Sequence, residues 1–504
     1  MPEENRLTQS YDFSLGKAEI LSHRLVDGSE PFRIDILPII GSIELVEAID
    51  KPFLEGHLFV LDSNDIRTLL PLTGLERLHL KFNTPGVPGV NAVAPDGDPF
   101  YIYKIENVGE DKKSNRALLY DIHFCSKEAY YESMRKVSKV VKGSPELGVE
   151  DIVRNKKYLN SNKKLYVEPS RTKTKMVIPN CSPVNAISLL AKKSQSKKYK
   201  NSGYLFFETP EGFHYRSIES LLASGGKERP TKWWYATSIK NIRNPRTGVV
   251  EMAEAIHQVE DWRLDYSVNI LDNIDSGSYA SKLIQFDPFY KTITKNDFNL
   301  FKEWDKHYTT QTTISGTSDD AYGDPKPLPK ATFDGNKKYL SEEYDSVVYL
   351  KSSTSNTYGD EVEKDSHKDL TQQAMSQRGL LQNGLLSLIV PGNSLIHAGD
   401  VIDFEMPLYR PIGENLPRRL NPQWSGRYLV LSIKHTISTQ DTGKYELTIN
   451  AAKQAPKIGY ISEGDSWEDG IRNKGTYSIY DIDNTIESRG SNKRVGPKMK
   501  HHSN

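Results

Sequence analysis

Along Gly74-Leu75-Glu76-Arg77-Leu78-His79-Leu80-Lys81-Phe82, apolar and polar side chains alternate. A period of two puts Leu78, Leu80 and Phe82 on one face of an extended chain and argues against a helix. The same pattern recurs between Phe32 and Cys125. Phe32 to Ile36, Gly41 to Ile49, Leu54 to Leu61, Phe100 to Val108 and Ala117 to Phe124 each read as a short strand bounded by turn residues. A run of such strands predicts a sandwich or small barrel. The Pro/Gly-rich segment Asn83 to Pro99 interrupts it as an irregular loop.

At Cys125 the period changes. Ser126 to Val141 carries Tyr130, Met134, Val137 and Val141 at helical spacing, predicting a helix. Ser144-Pro145 and Ser182-Pro183 are helix starts, with serine as N-cap and proline at the first turn. Gly203 to Glu208 and Phe213 to Arg216 read as a hairpin around Pro210-Glu211-Gly212. Residues 126–250 are therefore expected to form an α+β insert. Between Ser133 and Ser202 there are 17 Lys or Arg against 4 Asp or Glu, whereas Val250 to Lys306 holds 11 acidic against 6 basic residues. The basic run suits a solvated face, an acidic protein partner or nucleic acid. Its reversal farther on suits contacts between copies of one chain.

Lys232-Trp233-Trp234-Tyr235 opens a strand-like run whose rings are expected at a domain or subunit contact. Val250 to Trp262 reads as helical. Tyr279 to Phe286 and Tyr290 to Thr294 form an antiparallel ribbon turning at Asp287-Pro288. Residues 306–366 are polar and read as loops, apart from Ser346 to Leu350. A helix from Ser366 is expected to end at Asn383-Gly384. Strands follow at Leu385 to Val390, Val401 to Phe404, Gly426 to His435 and Lys444 to Asn450, with a long loop from Leu408 to Trp424. Four or five strands are too few to close a barrel. Adding the ribbon makes a six-stranded unit that matches the first β region.

The expected fold is thus mainly β with α+β inserts, containing two similar tube-type β-barrels, the second discontinuous. Its parts are a first barrel at 1–125, the insert at 126–250, and a split second barrel at 251–300 and 384–455. A polar excursion and helix occupy 301–383, and a flexible tail 456–504.

Phosphate loops, dinucleotide glycine patterns, Cys-x-x-Cys, His-Glu-x-x-His and calcium-loop spacings do not occur. Glu251, Glu254, Glu260 and Asp261 could supply a hydrolytic carboxylate pair, but they read as a solvated helix face. His79, His123, His214, His257, His307, His397 and His435 fall in strands or turns without a second ligand at useful spacing, which points to structural or surface roles. The expectation is no catalytic residue, no cofactor and no metal. Cys125 and Cys181 are read as thiols. The polar Met1 to Ser10 lacks a signal-peptide core, and 18 consecutive apolar residues occur nowhere, so no direct membrane span is expected.

Three stretches resemble a known family. They are Tyr279-Ala280-Ser281-Lys282-Leu283-Ile284-Gln285-Phe286-Asp287, then Leu388 to Ile402 around Pro391-Gly392-Asn393 and His397-Ala398-Gly399-Asp400, then Gly426-Arg427-Tyr428-Leu429-Val430-Leu431-Ser432-Ile433-Lys434-His435. In this order, over roughly residues 20–455, they are similar to the baseplate central hub proteins of contractile-tailed, T-even-like phages. The latter two also resemble the related spike proteins of type VI secretion.

The resemblance implies a structural virion protein of the tail baseplate, assembled in the host cytoplasm. It implies a homotrimer whose two barrels per chain build a six-domain ring. That ring would meet the sixfold tail tube protein on one side, the threefold central spike protein on the other, and other baseplate proteins around it during genome ejection. Tyr279, Lys282, Ile284, Phe286, Asp287, Asn393, Asp400 and Tyr428 are the candidate assembly residues. Two other readings stay open. A virion-associated cell-wall-degrading enzyme would need an acidic pair in a cleft. A type VI secretion-like spike would continue into a β-helical needle beyond residue 455.

Overall fold

The computed structural model describes residues 10–454 apart from 27–29, 70–71, 86–98, 111–116, 224–230, 236–255, 266–269, 289, 304–330, 334–335, 339–341, 343–346, 353–367, 383, 407–423 and 440–442. The fold is mainly β. The first β unit contains β1 (Ser14–Val26), β2 (Glu30–Asp35), β3 (Ile40–Ala48), β4 (Glu55–Asp62), β5 (Arg77–Asn83), β6 (Phe100–Glu110) and β7 (Leu118–Cys125). Their spatial order is β3-β4-β7-β6-β5-β1-β2, with every pair antiparallel. Six of them match the alternating runs. Sequence reasoning missed β1, because its register shifts between Leu15 and Lys17 and again between Leu21 and Leu25. Each shift breaks the period of two by which a strand is recognised.

The insert is α+β. It holds the helix Lys127–Met134, β8 (Val137–Gly143), the helix Pro145–Arg154, β9 (Leu165–Val167), β10 (Thr174–Cys181), the helix Pro183–Ala191, β11 (Tyr204–Thr209), β12 (Gly212–Ser217) and the helix Ile218–Leu222. The single helix expected over 126–141 is not formed. The chain turns extended at Arg135, and Val137 and Val141 lie on β8, paired with Cys181 and Met176 of β10. β-Branched Val137, Val140 and Val141 lose rotamer freedom in a helix and fit a pleated sheet. Both Ser-Pro starts hold: Ser144 and Ser182 are extended and each precedes a first-turn proline.

Beyond the insert come β13 (Thr231–Tyr235), β14 (Gln258–Val259), β15 (Asp261–Asp265), β16 (Ala280–Asp287), β17 (Thr292–Asn299), β18 (Ala331–Phe333), β19 (Asn336–Lys338), β20 (Val348–Ser352), β21 (Gly384–Pro391), β22 (Val401–Glu405), β23 (Gly426–Ser438) and β24 (Lys444–Lys453). Here the structure corrects three expectations. Thr231–Tyr235, expected within the insert at 126–250, pairs with β22 in the second unit. Where Val250 to Trp262 is described, it forms β14 and β15 instead of a helix. The ribbon β16–β17 is present, but it does not complete the second β unit. It makes a separate sheet ordered β17-β16-β20. The strands that join β21 to β24 are β13, β14 and β15. Alternation identifies a half-buried strand, but it carries no information about whose edge that strand meets.

Pairings in the second unit run β13–β22, β22–β23, β23–β24, β24–β21 and β21–β15, and β14 returns to β13. Only Glu260 separates β14 from β15, and its N–H donates to Ile389 O at 2.9 Å. One apolar core runs through both units. It includes Leu45, Leu58, Phe82, Phe100 and Phe124 from the first, and Trp233, Phe404, Ile433, Tyr445 and Leu447 from the second. Each such side chain contributes about 1.5–3 kcal/mol on burial, so the units are welded rather than loosely tethered. The expected excursion at 301–383 is described only in pieces, and the tail at 456–504 lies outside the described residues.

Candidate assembly site

The join between the β units is built on strand β23. Toward its start it pairs with β22, Leu429 opposite Val401. Farther on, Ser432 to Ser438 pairs antiparallel with Ala48 to Ser42 of β3. The edge of the first unit is thereby satisfied by the second, and the two form one continuous sheet. A capped edge of this kind removes the row of open backbone groups that would otherwise recruit another chain. A second seam lies at Thr84, whose hydroxyl donates to Gly392 O at 3.0 Å and accepts from Ser394 N at 3.2 Å.

Buried polar groups sit at this join. Glu47 on β3 continues the inward positions Ile43 and Leu45 and is fully buried. Its Oε1 lies 3.1 Å from His435 Nε2 on β23 and 3.4 Å from His397 Nδ1 on the β21–β22 loop. His435 Nδ1 is 2.8 Å from the Tyr445 hydroxyl on β24. Burial pushes the Glu47 carboxyl up, but His397 and His435 outweigh it and bring it down to about 2. Burial pushes the His397 imidazole down, and the carboxylates of Glu47, Asp400 and Glu211 reverse this to a net rise. Sequence reasoning gave both histidines structural or surface roles and missed Glu47. The signal available was its place on the inward period of a strand.

A second buried cluster ties the insert to the first unit. Lys163 Nζ donates to Glu128 Oε2 at 2.8 Å and to Glu208 Oε1 at 2.6 Å. Glu208 Oε2 accepts from Leu54 N at 3.0 Å. Lys163 is 3% exposed as a side chain and both glutamates 0%, so one member of the basic run is an internal cation rather than part of a solvated face. Many of its neighbours, including Lys136, Lys142, Lys156, Lys157, Lys173 and Lys197, are exposed.

The ribbon sheet has two unlike faces. Ser281, Leu283 and Gln285 point inward beneath the segment Lys368 to Leu380. There Gln372 Nε2 donates to Ser281 O at 2.8 Å and Ser376 Oγ to Ser278 O at 2.7 Å. On the other face the register aligns Lys282, Ile284 and Phe286 with Val348, Leu350 and Ser352 of β20 and with Asp297, Lys295 and Ile293 of β17. Phe286 (47%), Ile293 (63%), Val348 (46%) and Leu350 (74%) are exposed there. Four neighbouring exposed apolar side chains thus share one face of this sheet.

The expected assembly residues therefore divide. Lys282, Ile284 and Phe286 lie on this open face. Asp287 serves the turn, where its Oδ1 accepts from Tyr290 N at 3.1 Å. The other four make contacts within the chain. Tyr279 is buried against Phe298, Leu300 and Leu380. Asn393 is buried and accepts from Leu395 N at 3.0 Å. Asp400 accepts from His397 N at 3.1 Å. Tyr428 is buried, with its hydroxyl donating to Trp424 O at 2.6 Å. Of the candidate carboxylates, Glu260 is taken up by Tyr11 at 2.6 Å and Lys444 at 3.2 Å. Asp261 accepts from Trp262 N, and Glu251 and Glu254 lie outside the described residues. Among the described residues no group of His, Cys, Asp and Glu is placed to hold a metal ion, and no helix is long and apolar enough to cross a membrane.

Solved structures similar to this fold include phage tail proteins and type VI secretion proteins. The tail protein from Neisseria meningitidis MC58 aligns with a TM-score of 0.47 at 9% identity, covering 88% of this chain and 97% of that one. The 43 kDa tail protein of prophage MuSo2 from Shewanella oneidensis gives 0.46 at 11% identity, covering 87% and 98%. A type VI secretion component from E. coli gives 0.38 at 10% identity, covering 88% and 78%. No protein-family model and no curated protein matches the chain.

Proposed function

We propose that the chain is the structural hub at the centre of a phage tail baseplate, a homotrimer that joins the sixfold tail tube to the threefold central spike. The observation that carries this reading is the β3–β23 pairing, which fuses two β units edge to edge as neighbouring units of a tube would pair. The path of pairings from β14 through β13, β22, β23, β24 and β21 to β15, with Glu260 linking β14 to β15 along the chain, supports a reading of the second unit as a barrel. Two barrels in each of three chains would present six similar units to a tube and three chains to a spike. The resemblance of Tyr279 to Asp287, Leu388 to Ile402 and Gly426 to His435 to hub proteins supports the same reading. The open face around Ile284 and Leu350 is the surface by which one copy would meet the next.

Sedimentation equilibrium of the purified chain, alone and mixed with tail tube and spike proteins, tests this. A trimer mass is expected, and Leu350→Asp, which changes an exposed side chain, should lower it without unfolding the protein. A strictly monomeric chain at high concentration, even with spike protein present, would overturn the proposal. Hydrolysis of cell-wall polymer that disappears on substituting one carboxylate would favour an enzyme instead.

A further inference from the structure

His397 stands where three parts of the chain meet. Its Nδ1 faces Glu47 of the first β unit, and its Nε2 lies 3.9 Å from Glu211 Oε1 in the β11–β12 turn of the insert. The imidazole belongs to the second unit and is 6% exposed, whereas Glu211 is 45% exposed. The loop that carries it is tightly held. Gly399 N donates to Val430 O at 2.9 Å, Val430 N to Asp400 O at 2.8 Å, and the His397 N–H to Asp400 Oδ2 at 3.1 Å. Gly399 has φ +90°, and a side chain there would press on Phe207 and Leu221 of the insert. Loop and imidazole cannot move far, so a change of charge on His397 must be felt by the groups around it.

Among the described residues, those groups come from several elements. Glu47 comes from β3, His435 from β23 with Tyr445 of β24 behind it, and Asp400 from the same loop. Glu211 and His214 come from the insert, with Arg216 beyond. Burial pushes His214 down to about 3, so it stays neutral and supplies no competing charge near neutrality. Among the described residues, Nε2 of His397 has no partner within hydrogen-bond distance. Protonated, it presents an N–H to the Glu211 carboxylate. Neutral, with its remaining proton on Nδ1 toward Glu47, it presents a lone pair to that carboxylate, and attraction becomes repulsion.

We propose that His397 is a proton-operated latch between the insert and the joined β units. Carrying two protons, it bridges Glu47 to Glu211 and holds the β11–β12 turn down. Losing the Nε2 proton to solvent past Glu211, it keeps the Glu47 contact and releases the turn. The inference is independent of trimer formation and concerns the chain's own parts.

The test is amide hydrogen exchange of residues 208–214 from pH 6 to 9, normalised for the intrinsic pH dependence, alongside NMR titration of the His397 ring. Opening that releases one proton should grow by up to about tenfold per pH unit between the pKa of the released ring and that of the latched ring, and level off above it. Protection of the turn should therefore fall with rising pH in the wild type. It should be low and flat in Glu211→Gln, an exposed substitution that leaves the Glu47 contact in place. A His397 ring that titrates at or below ~6.5, or a Glu211→Gln profile that still falls like the wild type, overturns the latch.

Discussion

Replacing Lys163 by methionine removes the cation that Glu128 and Glu208 share and leaves two carboxylates in a site with almost no solvent. The side chain is of similar length, so packing is largely conserved and the electrostatic loss dominates. Breaking a buried ion pair by deleting one partner costs about 3–5 kcal/mol. For a unit of 150–250 residues this lowers the melting temperature by roughly 6–20 °C. The sign with pH is also determined. Burial raises the Glu208 carboxyl even with Lys163 present, Lys163 lowers it, and the net shift is upward. Without Lys163 the charged form is disfavoured further, so the penalty grows as pH rises through the unfolded carboxyl value of ~4.3. Denaturant midpoints of wild type and Lys163→Met at pH 5 and pH 8 check this, with the larger gap expected at pH 8. A triple variant, Glu128→Gln, Lys163→Met and Glu208→Gln, should recover most of the loss, because an uncharged site of similar volume carries no orphaned charge. A loss below ~1 kcal/mol, equal at both pH values, would refute the view that this cluster holds the insert to the first β unit.

Two further outcomes follow from the same buried chemistry. The His214 ring stacks between Tyr166 and Phe207, with centroids 4.8 and 5.0 Å away. Its folded pKa of about 3 lies below the unfolded value, so stability is lost as pH falls below ~6.5, by about 2 kcal/mol at pH 5. His214→Phe should flatten that acid limb in denaturant titrations, and an unchanged slope would count against it. Both cysteines are free; burial pushes the Cys125 thiol up to about 12, and Cys181 is less buried. A thiol reagent at pH 8 should modify Cys181 first and Cys125 only on unfolding; equal rates in the native protein would contradict the placement of β7.

Much of the fold was legible where burial follows a simple period. Leu78, Leu80 and Phe82 alternate into the core, as do Ile43, Leu45 and Glu47, and Leu447 and Ile449. The Ser-Pro helix starts were legible because proline and its neighbour constrain the backbone locally. What failed was non-local. Val137 and Val141 mimic a helical stripe, yet become a strand because β10 supplies a partner. The ribbon β16–β17 is legible, yet given to the wrong sheet; the apolar run Ser346 to Leu350 marks its true neighbour β20, but nothing in that run says which edge it meets.

The candidate site divides the same way. Lys282, Ile284 and Phe286 share an open face because alternate residues of a strand must share one. That they face outward depends on Gln372 and Ser376 binding the other side. The sequence alone determined that this chain makes many short strands, a basic α+β insert and a ribbon of alternating polarity, because those properties rest on neighbouring residues. Only the tertiary structure decided that β23 joins β3, that Glu47 meets His397 and His435, and that Lys163 is an internal cation. Each of these contacts brings together residues far apart in the chain, and a strand's period does not encode the identity of its partner.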